Sequence, residues 1–480
     1  MKNKVLLWYN SHYKKIFFLL LLFALISVAF TSLQTGYDYW WHLKVGEYIY
    51  KTGTIPLTSI FSWFGSINNL SWISHEWLSE LLLYLYQLIF GSNHIIWFCL
   101  INIGLLFTSL YLFNKEACLK NIFQTLVFLA FGIFLIFPAL APRPYLISYI
   151  LLAILLYLLF DLNKHPHSKK IYLVPIITIL YANFHGGSSN LTYILCFMFA
   201  FCGLFKFKLK HIESTRLNPL QIKKYCLIGL LSILAILINP HGIKLLLYPF
   251  INMQDTLMKG LILEWAPLNI TNLSHLPVLI FLIYLVIKLI STKKQISFLH
   301  ISLMAAFILL TISSVRFAPL LWIVSSFIIL GLNSEKIPPI KIWTILSFSF
   351  IILGTVSIIK EQENVHTKLN TGVLDYQVIS YLKEHKPTRL YNYYDYGGYL
   401  IYNNIPVFID GRADMYSKYN LRDAVKLAFL KGEYQAILDN YNFDYLVIPK
   451  TIPLTEYLDN NPQYQLVLTT SKTVIYKLVI

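Results

Sequence analysis

The residues that could carry chemistry first gather between Gly36 and Glu80. This segment holds Asp38, His42, His75 and Glu76. Carboxylates and imidazoles can accept a proton or ligate a divalent metal. His42 lies four residues after Asp38, so if the stretch is helical the two share a face and could pair with each other or meet a substrate together. Indole rings suit a boundary that is apolar on one side and wet on the other, and four of the ten tryptophans flank these groups: Trp40, Trp41, Trp72 and Trp77.

The composition is that of a membrane protein. Of 480 residues, 57% are hydrophobic and 13% are charged, whereas ordinary globular proteins carry about 25% charged residues. The net charge of +16 lies before residue 360, because the segment from Lys360 onward holds 13 basic and 13 acidic side chains. An excess of lysine and arginine on alternate membrane loops is topology information. This charge therefore indicates a membrane and no nucleic-acid partner.

Long apolar runs predict an α-helical polytopic membrane protein. Lysine and arginine collect on the loops of one side only if the run at 77–90 lies flat on the outer surface. This run is short for a span of about 20 residues. This arrangement gives about 11 transmembrane helices, a cytoplasmic N-terminus and an extracytoplasmic C-terminal domain. We therefore predict a transmembrane domain at 1–360, with interfacial helices in an outer loop at 34–94, and a separate domain at 361–480. The apolar runs are 16–33, 77–90, 95–113, 121–138, 145–160, 171–182, 190–206, 225–239, 276–290, 298–314, 317–332 and 341–359.

The same topology brings more polar groups to the outer ends of the spans. Two runs, 171–184 and 225–239, are too short to cross a hydrocarbon core of about 30 Å, which predicts a recessed, water-containing cavity. An arginine at such a place could bind phosphate or could only anchor a helix at the boundary. The candidates are Arg143 in APRPY, Asn183 and His185 in NFHGG, and Arg316 in SVRFAP, with His241 and Glu264 as weaker ones.

After residue 360 strand-like and helix-like runs alternate, which predicts a small α/β domain. The strand-like runs are RLYNYY, PVFID, YLVIP, YQLVLTT and VIYKL. The segment FIDGRADMY places Asp410 and Arg412 just after a strand end, a common ligand position in α/β sheets. The two side chains could instead pair with each other and fix a turn. No GxGxxG or Walker motif occurs, so no nucleotide site is indicated.

The order of these features resembles the glycosyltransferase C (GT-C) superfamily, which includes protein O-mannosyltransferases and the lipid A aminoarabinose transferase. The resemblance rests on a first span, a long outer loop with an early acidic residue, and an interfacial helix that ends in a Phe-Gly turn. Within the superfamily, the segments DYWWHLKVGEYIYKTGTIP, SWISHEWLSE, NFHGG, NPHG, RFAP, GGYLIY and FIDGR resemble a group of bacterial membrane proteins. This likeness spans nearly the whole chain.

The resemblance implies a glycosyltransferase in the cytoplasmic (inner) membrane. It would transfer a sugar, with inversion, from a polyprenyl-phosphate-linked donor to a lipid or glycan acceptor of the cell envelope at the outer face. A divalent metal, Mg²⁺ or Mn²⁺, would assist, with Asp38 and Glu76 as candidate ligands. Many members carry adjacent carboxylates in the first loop, but Asp38 is followed by Tyr39. A split pair of Asp38 and Glu76 therefore requires the loop to fold back.

Sugar transfer from a lipid phosphate needs a proton acceptor and positive groups for the departing phosphate. We assign the first role to Asp38, which could otherwise only cap a surface helix. Arg143 and Arg316 suit the phosphate. His75 and Glu76 are further catalytic candidates, and the substrate-binding candidates are His42, Arg143, Asn183, His185, Arg316, Asp410 and Arg412.

Two other functions fit part of the pattern. A transporter or flippase for envelope glycolipids would also need a polytopic helical domain, but the chain shows no paired halves and its polar groups gather at one side. A catalytically inactive membrane scaffold would explain the missing adjacent carboxylate. Loss of donor binding on mutating Arg143 and Arg316 together distinguishes the enzyme from the scaffold.

Overall fold

The computed structural model of the chain describes residues 36–120, 122–136, 141–331 and 373–479. The predicted spans at 16–33 and 341–359 lie outside these residues. The chain divides into two compact units. We call one the helical unit, whose described residues are 96–246 and 262–331, and the other the mixed unit, whose described residues are 36–95, 247–261 and 373–479.

Helices predominate, and two small sheets accompany them. In chain order the helices are α1 (Tyr39–Thr52), α2 (Trp63–Ile67), α3 (Trp77–Phe90), α4 (His94–Phe113), α5 (Lys115–Lys120), α6 (Ile122–Ile136), α7 (Tyr145–Lys164), α8 (Val174–His185), α9 (Leu191–Cys202), α10 (Pro219–Ile236), α11 (Ile243–Gln254), α12 (Thr256–Leu261), α13 (Leu276–Ser291), α14 (Phe298–Ser313), α15 (Ala318–Ile329), α16 (Tyr376–His385), α17 (Gly397–Tyr402), α18 (Ala413–Tyr416), α19 (Leu421–Ala428), α20 (Tyr434–Tyr441) and α21 (Pro453–Asp459). The strands are β1 (Phe207–Leu209), β2 (Ile212–Ser214), β3 (Ile296–Ser297), β4 (Leu390–Asn392), β5 (Tyr445–Pro449), β6 (Tyr464–Thr469) and β7 (Thr473–Leu478).

Among the described residues, four helical stretches are long and apolar enough to cross a membrane: Trp77–Phe113, Tyr145–Lys164, Pro219–Ile236 and Leu273–Ser291. The first of them is interrupted at Gly91–Asn93, where α3 ends and α4 follows. The prediction of a helix that ends at Gly91 is thereby confirmed. Its flat orientation and the total of about 11 spans stay predictions.

The core of the helical unit surrounds α7. Leu152, Leu155 and Leu159 on this helix are completely buried. Tertiary hydrogen bonds from long polar side chains hold the neighbouring helices, since Trp322 Nε1 of α15 donates to Phe128 O of α6 at 2.8 Å. At the loop between α9 and α10, a short sheet forms in the order β1-β2-β3, with β1 antiparallel to β2 and β2 parallel to β3.

The mixed unit carries a four-stranded sheet in the order β4-β5-β7-β6. Strand β4 is parallel to β5, whereas β7 is antiparallel to both β5 and β6. These strands confirm the predictions for RLYNYY, YLVIP, YQLVLTT and VIYKL. The strand prediction for PVFID is wrong, because residues 406–410 form only an isolated bridge between Val407 and Ser62.

A buried asparagine takes the place of a neighbouring strand for this segment. Asn392 Oδ1 accepts from the backbone N–H of Phe408 at 2.9 Å, and its Nδ2 donates to Ile409 O at 2.7 Å. Trp63 N donates to Val407 O at 3.0 Å. Buried backbone groups must find partners, and a side chain and a loop supply them here.

Helices α1 and α3 cross closely at Gly46. A Cβ atom built on Gly46 would lie 2.0 Å from Glu80 O, a backbone atom that cannot move aside. The absence of a side chain is therefore what lets the two helices approach. Because His42 lies one helical turn before Gly46, this crossing also brings His42 beside Glu80.

We expect Gly46→Ala to destabilise the protein by about 1–3 kcal/mol, because the added methyl group forces α1 and α3 apart. The matched control is Gly104→Ala in α4, where a built Cβ meets nothing within 4 Å; this change should be neutral or stabilising through helix propensity. The thermal unfolding midpoint of the purified full-length protein measures both. Equal midpoints for the two variants would contradict the close crossing.

Candidate functional site

Asp38 precedes α1 directly, yet its side chain makes no capping hydrogen bond to that helix. Its Oδ1 atom accepts from Trp41 Nε1 at 3.3 Å. Gly411 packs against the same oxygen, because a Cβ built on Gly411 would lie 1.9 Å from it. Only a residue without a side chain permits this approach. The carboxylate of Asp38 thus rests against backbone at Gly411.

A second carboxyl group, Asp395, lies within the electrostatic reach of Asp38. It belongs to the 3₁₀ turn Tyr394–Tyr396 that leads into α17. Burial, and then the charge of Asp38, raise the pKa of Asp395 to about 6. The sequence reasoning missed Asp395, since nothing in the spacing of YDYGG connects it with a residue more than 350 positions earlier.

Tyr394 shows how many carboxyl groups share this region. Its hydroxyl donates to Gly411 O at 3.2 Å. Burial raises the pKa of this phenol well above its usual value, and four negative charges raise it further, those of Asp38, Asp410, Asp395 and Asp414. A phenol in this setting stays protonated and can donate a hydrogen bond.

Asp410 and Arg412 form a buried ion pair. Arg412 Nε donates to Asp410 Oδ1 at 2.7 Å, and Nη2 donates to Asp410 Oδ2 at 2.6 Å. The hydroxyl of Tyr416 donates to the same Oδ2 atom at 2.6 Å. Arg412 is 2% exposed and Asp410 is completely buried. The two side chains therefore pair with each other, which was one of the two alternatives left open by the sequence.

Aromatic rings enclose the rest of the guanidinium. Its central carbon lies 4.6 Å from the ring centroid of Trp72, 5.7 Å from that of Phe61 and 6.0 Å from that of Trp41. Such ring faces attract a desolvated cation. Within the part of the chain that the structure describes, the buried Nη1 atom has no hydrogen-bond partner.

Glu76 lies between two imidazoles. Its Oε2 atom is 3.9 Å from His42 Nε2, and its Oε1 atom is 3.7 Å from His75 Nε2. The other ring nitrogen of each histidine is engaged, since His42 Nδ1 lies 3.1 Å from Glu80 Oε1 and His75 Nδ1 lies 3.2 Å from Ile73 O. Both histidines can therefore take the Nδ1–H tautomer, which places a lone pair on Nε2, on the side of Glu76.

Tyr248 and Asp414 extend this group, and neither was singled out by the sequence. The Tyr248 hydroxyl donates to Asp414 Oδ2 at 2.9 Å. The ring of His75 packs against that of Tyr248 in a tilted arrangement, with centroids 4.5 Å apart. Tyr248 lies on α11, a helix that the sequence reasoning missed because Pro249 stands inside it and proline normally ends a helix.

One group of side chains in the mixed unit could hold a metal ion. His42, Glu76 and Glu80 each offer a ligand atom, and these atoms lie within 4.8 Å of one another. All three residues are buried, Glu80 and His42 almost completely. A carboxylate that fixes the far nitrogen of an imidazole is a frequent device for orienting a metal ligand, and Glu80 stands in that place beside His42.

In the helical unit, Arg143 and Arg316 come close to the same carboxylate. Arg143 Nη1 donates to Glu264 Oε1 at 3.0 Å. The guanidinium of Arg316 lies 4.9 Å from the ring centroid of Trp265. Burial alone would raise the pKa of Glu264, but the charges of Arg143 and Arg316 bring it below its usual value. Two positive charges thus accompany one negative charge.

His185 and Asn183 lie at the C-terminal end of α8. His185 Nδ1 is 2.8 Å from Ser148 Oγ and is buried. Asn183 Nδ2 donates to Ile179 O and, at 2.9 Å, to Ile238 O just beyond α10. Asn183 therefore connects two helices, and its predicted contact with a substrate stays a prediction.

The predicted site residues fall into two groups, one in each unit. Together with burial, the charge of Asp38 raises the pKa of Asp395. Glu76, the predicted partner of Asp38, lies between imidazoles. The mixed unit brings together Asp38, His42, His75, Glu76, Asp410 and Arg412, and the helical unit holds Arg143, Asn183, His185 and Arg316.

The fold is similar to that of an archaeal oligosaccharyltransferase. One solved structure, the Archaeoglobus fulgidus oligosaccharyltransferase tethered by a disulfide bond to an acceptor peptide containing the NVT sequon, has a TM-score of 0.53 and 13% identity, and covers 92% of this chain and 70% of its own. A second, the same enzyme in complex with Zn and sulfate, has a TM-score of 0.50 and 14% identity, and covers 96% and 73%. No protein-family model and no curated protein matches the chain. At this identity the likeness shows the fold alone, and membership of the GT-C superfamily and of its bacterial subgroup stays a prediction.

The pKa of Asp395 predicts a pH-dependent contribution to stability. The folded-state value of about 6 exceeds the ordinary 3.8, so the native state binds more protons between these values. The stability from protonated Asp395 is present below pH about 4 and is lost as the pH rises through about 6. We expect Asp395→Asn to raise stability above pH 6 by roughly 1–3 kcal/mol and to have little effect near pH 4.

Thermal unfolding midpoints of wild type and Asp395→Asn across this pH range test the prediction. The control is Glu384→Gln, which replaces an exposed carboxylate on α16 and should shift the midpoint equally little at every pH. A difference between wild type and Asp395→Asn that does not change with pH would remove the coupling of Asp38 and Asp395.

Proposed function

We propose that the chain is a membrane glycosyltransferase that transfers a sugar from a polyprenyl-phosphate-linked donor to a lipid or glycan acceptor of the cell envelope, with inversion at the outer face of the cytoplasmic membrane. The observation that carries the proposal is the seating of Asp38. This first-loop carboxylate lies against Gly411 and Trp41, and Asp395 lies within reach of its charge. The oligosaccharyltransferase-like fold supports the same class of reaction.

Asp38 is the proton acceptor in this proposal. It takes the proton of the acceptor's nucleophilic group, whose heavy atom forms a bond to the anomeric carbon. The bond from that carbon to the phosphate oxygen breaks, and its electron pair leaves with the lipid phosphate.

Arg143 and Arg316 bind the phosphate of the donor. Glu264 neutralises only one of the two charges, so the group keeps a net positive charge for an anion. Arg316 has no hydrogen bond or ion pair to any residue that the structure describes, and its guanidinium plane rests on Trp265. Guanidinium groups match the geometry of phosphate oxygens. His75, Glu76 and His185 shape the sugar site.

His42, Glu76 and Glu80 would hold a divalent metal, and His75 Nε2 is the next nitrogen beside Glu76. When bound, such an ion supplies Lewis-acid stabilisation of the departing phosphate. An imidazole in the ligand set favours Zn²⁺ or Mn²⁺ over Mg²⁺, which prefers oxygen ligands. Glu80 orients His42 through Nδ1 whichever ion binds.

The first test measures sugar incorporation into envelope glycans and glycolipids in a deletion strain that is complemented with variants. Asp38→Asn should abolish transfer at normal expression and folding. Gly411→Ala should lower it at least tenfold, because its methyl group displaces the Asp38 carboxylate, and catalytic groups tolerate little misplacement. The control Gly260→Ala, whose built Cβ meets nothing within 4 Å, should complement fully. Full complementation by Asp38→Asn would remove Asp38 from the mechanism.

The second test concerns the metal and does not depend on activity. Isothermal titration of the purified protein should show one Zn²⁺ site, and Glu76→Gln or Glu80→Gln should weaken it about tenfold or more. Glu47→Gln is the matched control, because Glu47 also belongs to the α1–α3 region but pairs with Lys44 and Lys51. Absence of Zn²⁺ and Mn²⁺ binding by wild type would leave the carboxylate mechanism without a metal.

A further inference from the structure

The hairpin of β1 and β2 carries an unusual surface. Residues 204–211 are all exposed, including β1 in full. Lysine alternates with apolar residues along this strand, in the order Lys206, Phe207, Lys208, Leu209, Lys210. Because successive side chains of a strand point to opposite faces, β1 has one basic face and one apolar face. Leu209 is 63% exposed, which is costly for a strand that faces only water.

Short connections hold this hairpin close to the membrane. Four residues separate the end of β2 from α10, and four separate the end of α13 from β3. Both α10 and the stretch that ends with α13 are long and apolar enough to cross a membrane. Such a connection reaches at most about 17 Å, so the sheet lies at the end of two spans, beside the lipid headgroups.

The apolar face of β1 continues the apolar surface of a helix. The ring of Phe207 packs edge-on against Phe298, the first residue of α14, with centroids 5.3 Å apart. Phe205 meets the same ring at 5.9 Å. Leu209 extends this face beyond the contact. An apolar strip that starts at the apolar helix α14 and ends exposed fits the boundary between acyl chains and headgroups.

The charge around the strip is predominantly positive, although Glu213 on β2 lies opposite Lys208 on β1. Lys293 and Lys294, just before β3, and Arg216, just after β2, add to the lysines of β1, and Glu213 is the only acidic residue between 204 and 218. We propose that this basic hairpin lies on the membrane surface and binds anionic phospholipid headgroups, with its apolar face in the boundary and its lysines on the phosphates. Clustered basic residues next to a span are attracted to anionic lipids, and the alternation adds the apolar contact. This proposal does not depend on the glycosyltransferase reaction.

A fluorescent label on the hairpin tests the proposal in the full-length protein. Bimane is attached to Leu209→Cys in a Cys226→Ser background, since the other four cysteines are buried, and the protein is reconstituted into vesicles of phosphatidylcholine and phosphatidylglycerol in equal amounts. Bromine on the acyl chains of one lipid quenches only a probe in contact with it. We expect brominated phosphatidylglycerol to quench at least twice as strongly as brominated phosphatidylcholine.

Lys206→Gln, Lys208→Gln and Lys210→Asn together should abolish this preference; asparagine is chosen because Lys210 has a positive φ of 47°, which asparagine tolerates. Arginine at the three positions should restore it. The control removes three exposed lysines elsewhere in the chain, at the start of α5 (Lys115), at the end of α7 (Lys164) and just after α7 (Lys169), and should leave the preference intact. Equal quenching by both lipids in every variant would overturn the headgroup preference. No quenching by either lipid would show that the hairpin faces water or a protein partner.

Discussion

A buried positive charge is the constraint on which the mixed unit depends. Arg412 is 2% exposed, and removing one partner from a buried ion pair typically costs about 3–5 kcal/mol. Its compensation comes from separate segments: the carboxylate from Asp410, and ring faces from Trp41 on α1 and from Trp72 in the loop before α3. Compensation of the buried Arg412 charge is therefore one physical reason for these segments to lie next to each other.

The position of Asp38 follows from that pair. Gly411 is the residue between Asp410 and Arg412, so the bidentate pairing that fixes its two neighbours also fixes its backbone. The contact of Gly411 with Asp38 Oδ1 is then set by the ion pair and not by α1 alone. The buried ion pair of Asp410 and Arg412 thus stands next to Asp38, the proton acceptor of the proposed mechanism, with Gly411 between them.

The sequence predicted what depends on local pattern. Apolar runs located α3, α7 and α13 to within a few residues, and alternating runs located β5 and β7, because burial imposes a period on the chain. The strand prediction for PVFID failed because the backbone of this segment bonds to a side chain, Asn392, and to a loop. Neither partner produces a periodic pattern in the sequence. Helix α11 was missed because Pro249 argues against a helix locally, although tertiary packing tolerates it.

Site residues could be predicted from the sequence where one short motif contains them. They could not be predicted where folding brings distant segments together. Asp38, His75 and Glu76 stand in one loop with its tryptophans. Asp395, Tyr248 and Asp414 come from segments that no spacing rule connects with that loop. Glu80 was visible only as an acidic residue in an apolar helix. Its place beside His42 depends on the crossing at Gly46, since a side chain at that position would separate the two helices.

The two units need different ligands to balance their charge. In the mixed unit Arg412 is already paired with Asp410, and Glu76 and Glu80 lie beside the imidazole of His42. Such a group is stabilised by a proton or a cation. In the helical unit the charges of Arg143 and Arg316 both act on Glu264. The proposed transfer from a lipid phosphate needs a proton acceptor and positive groups for the departing phosphate.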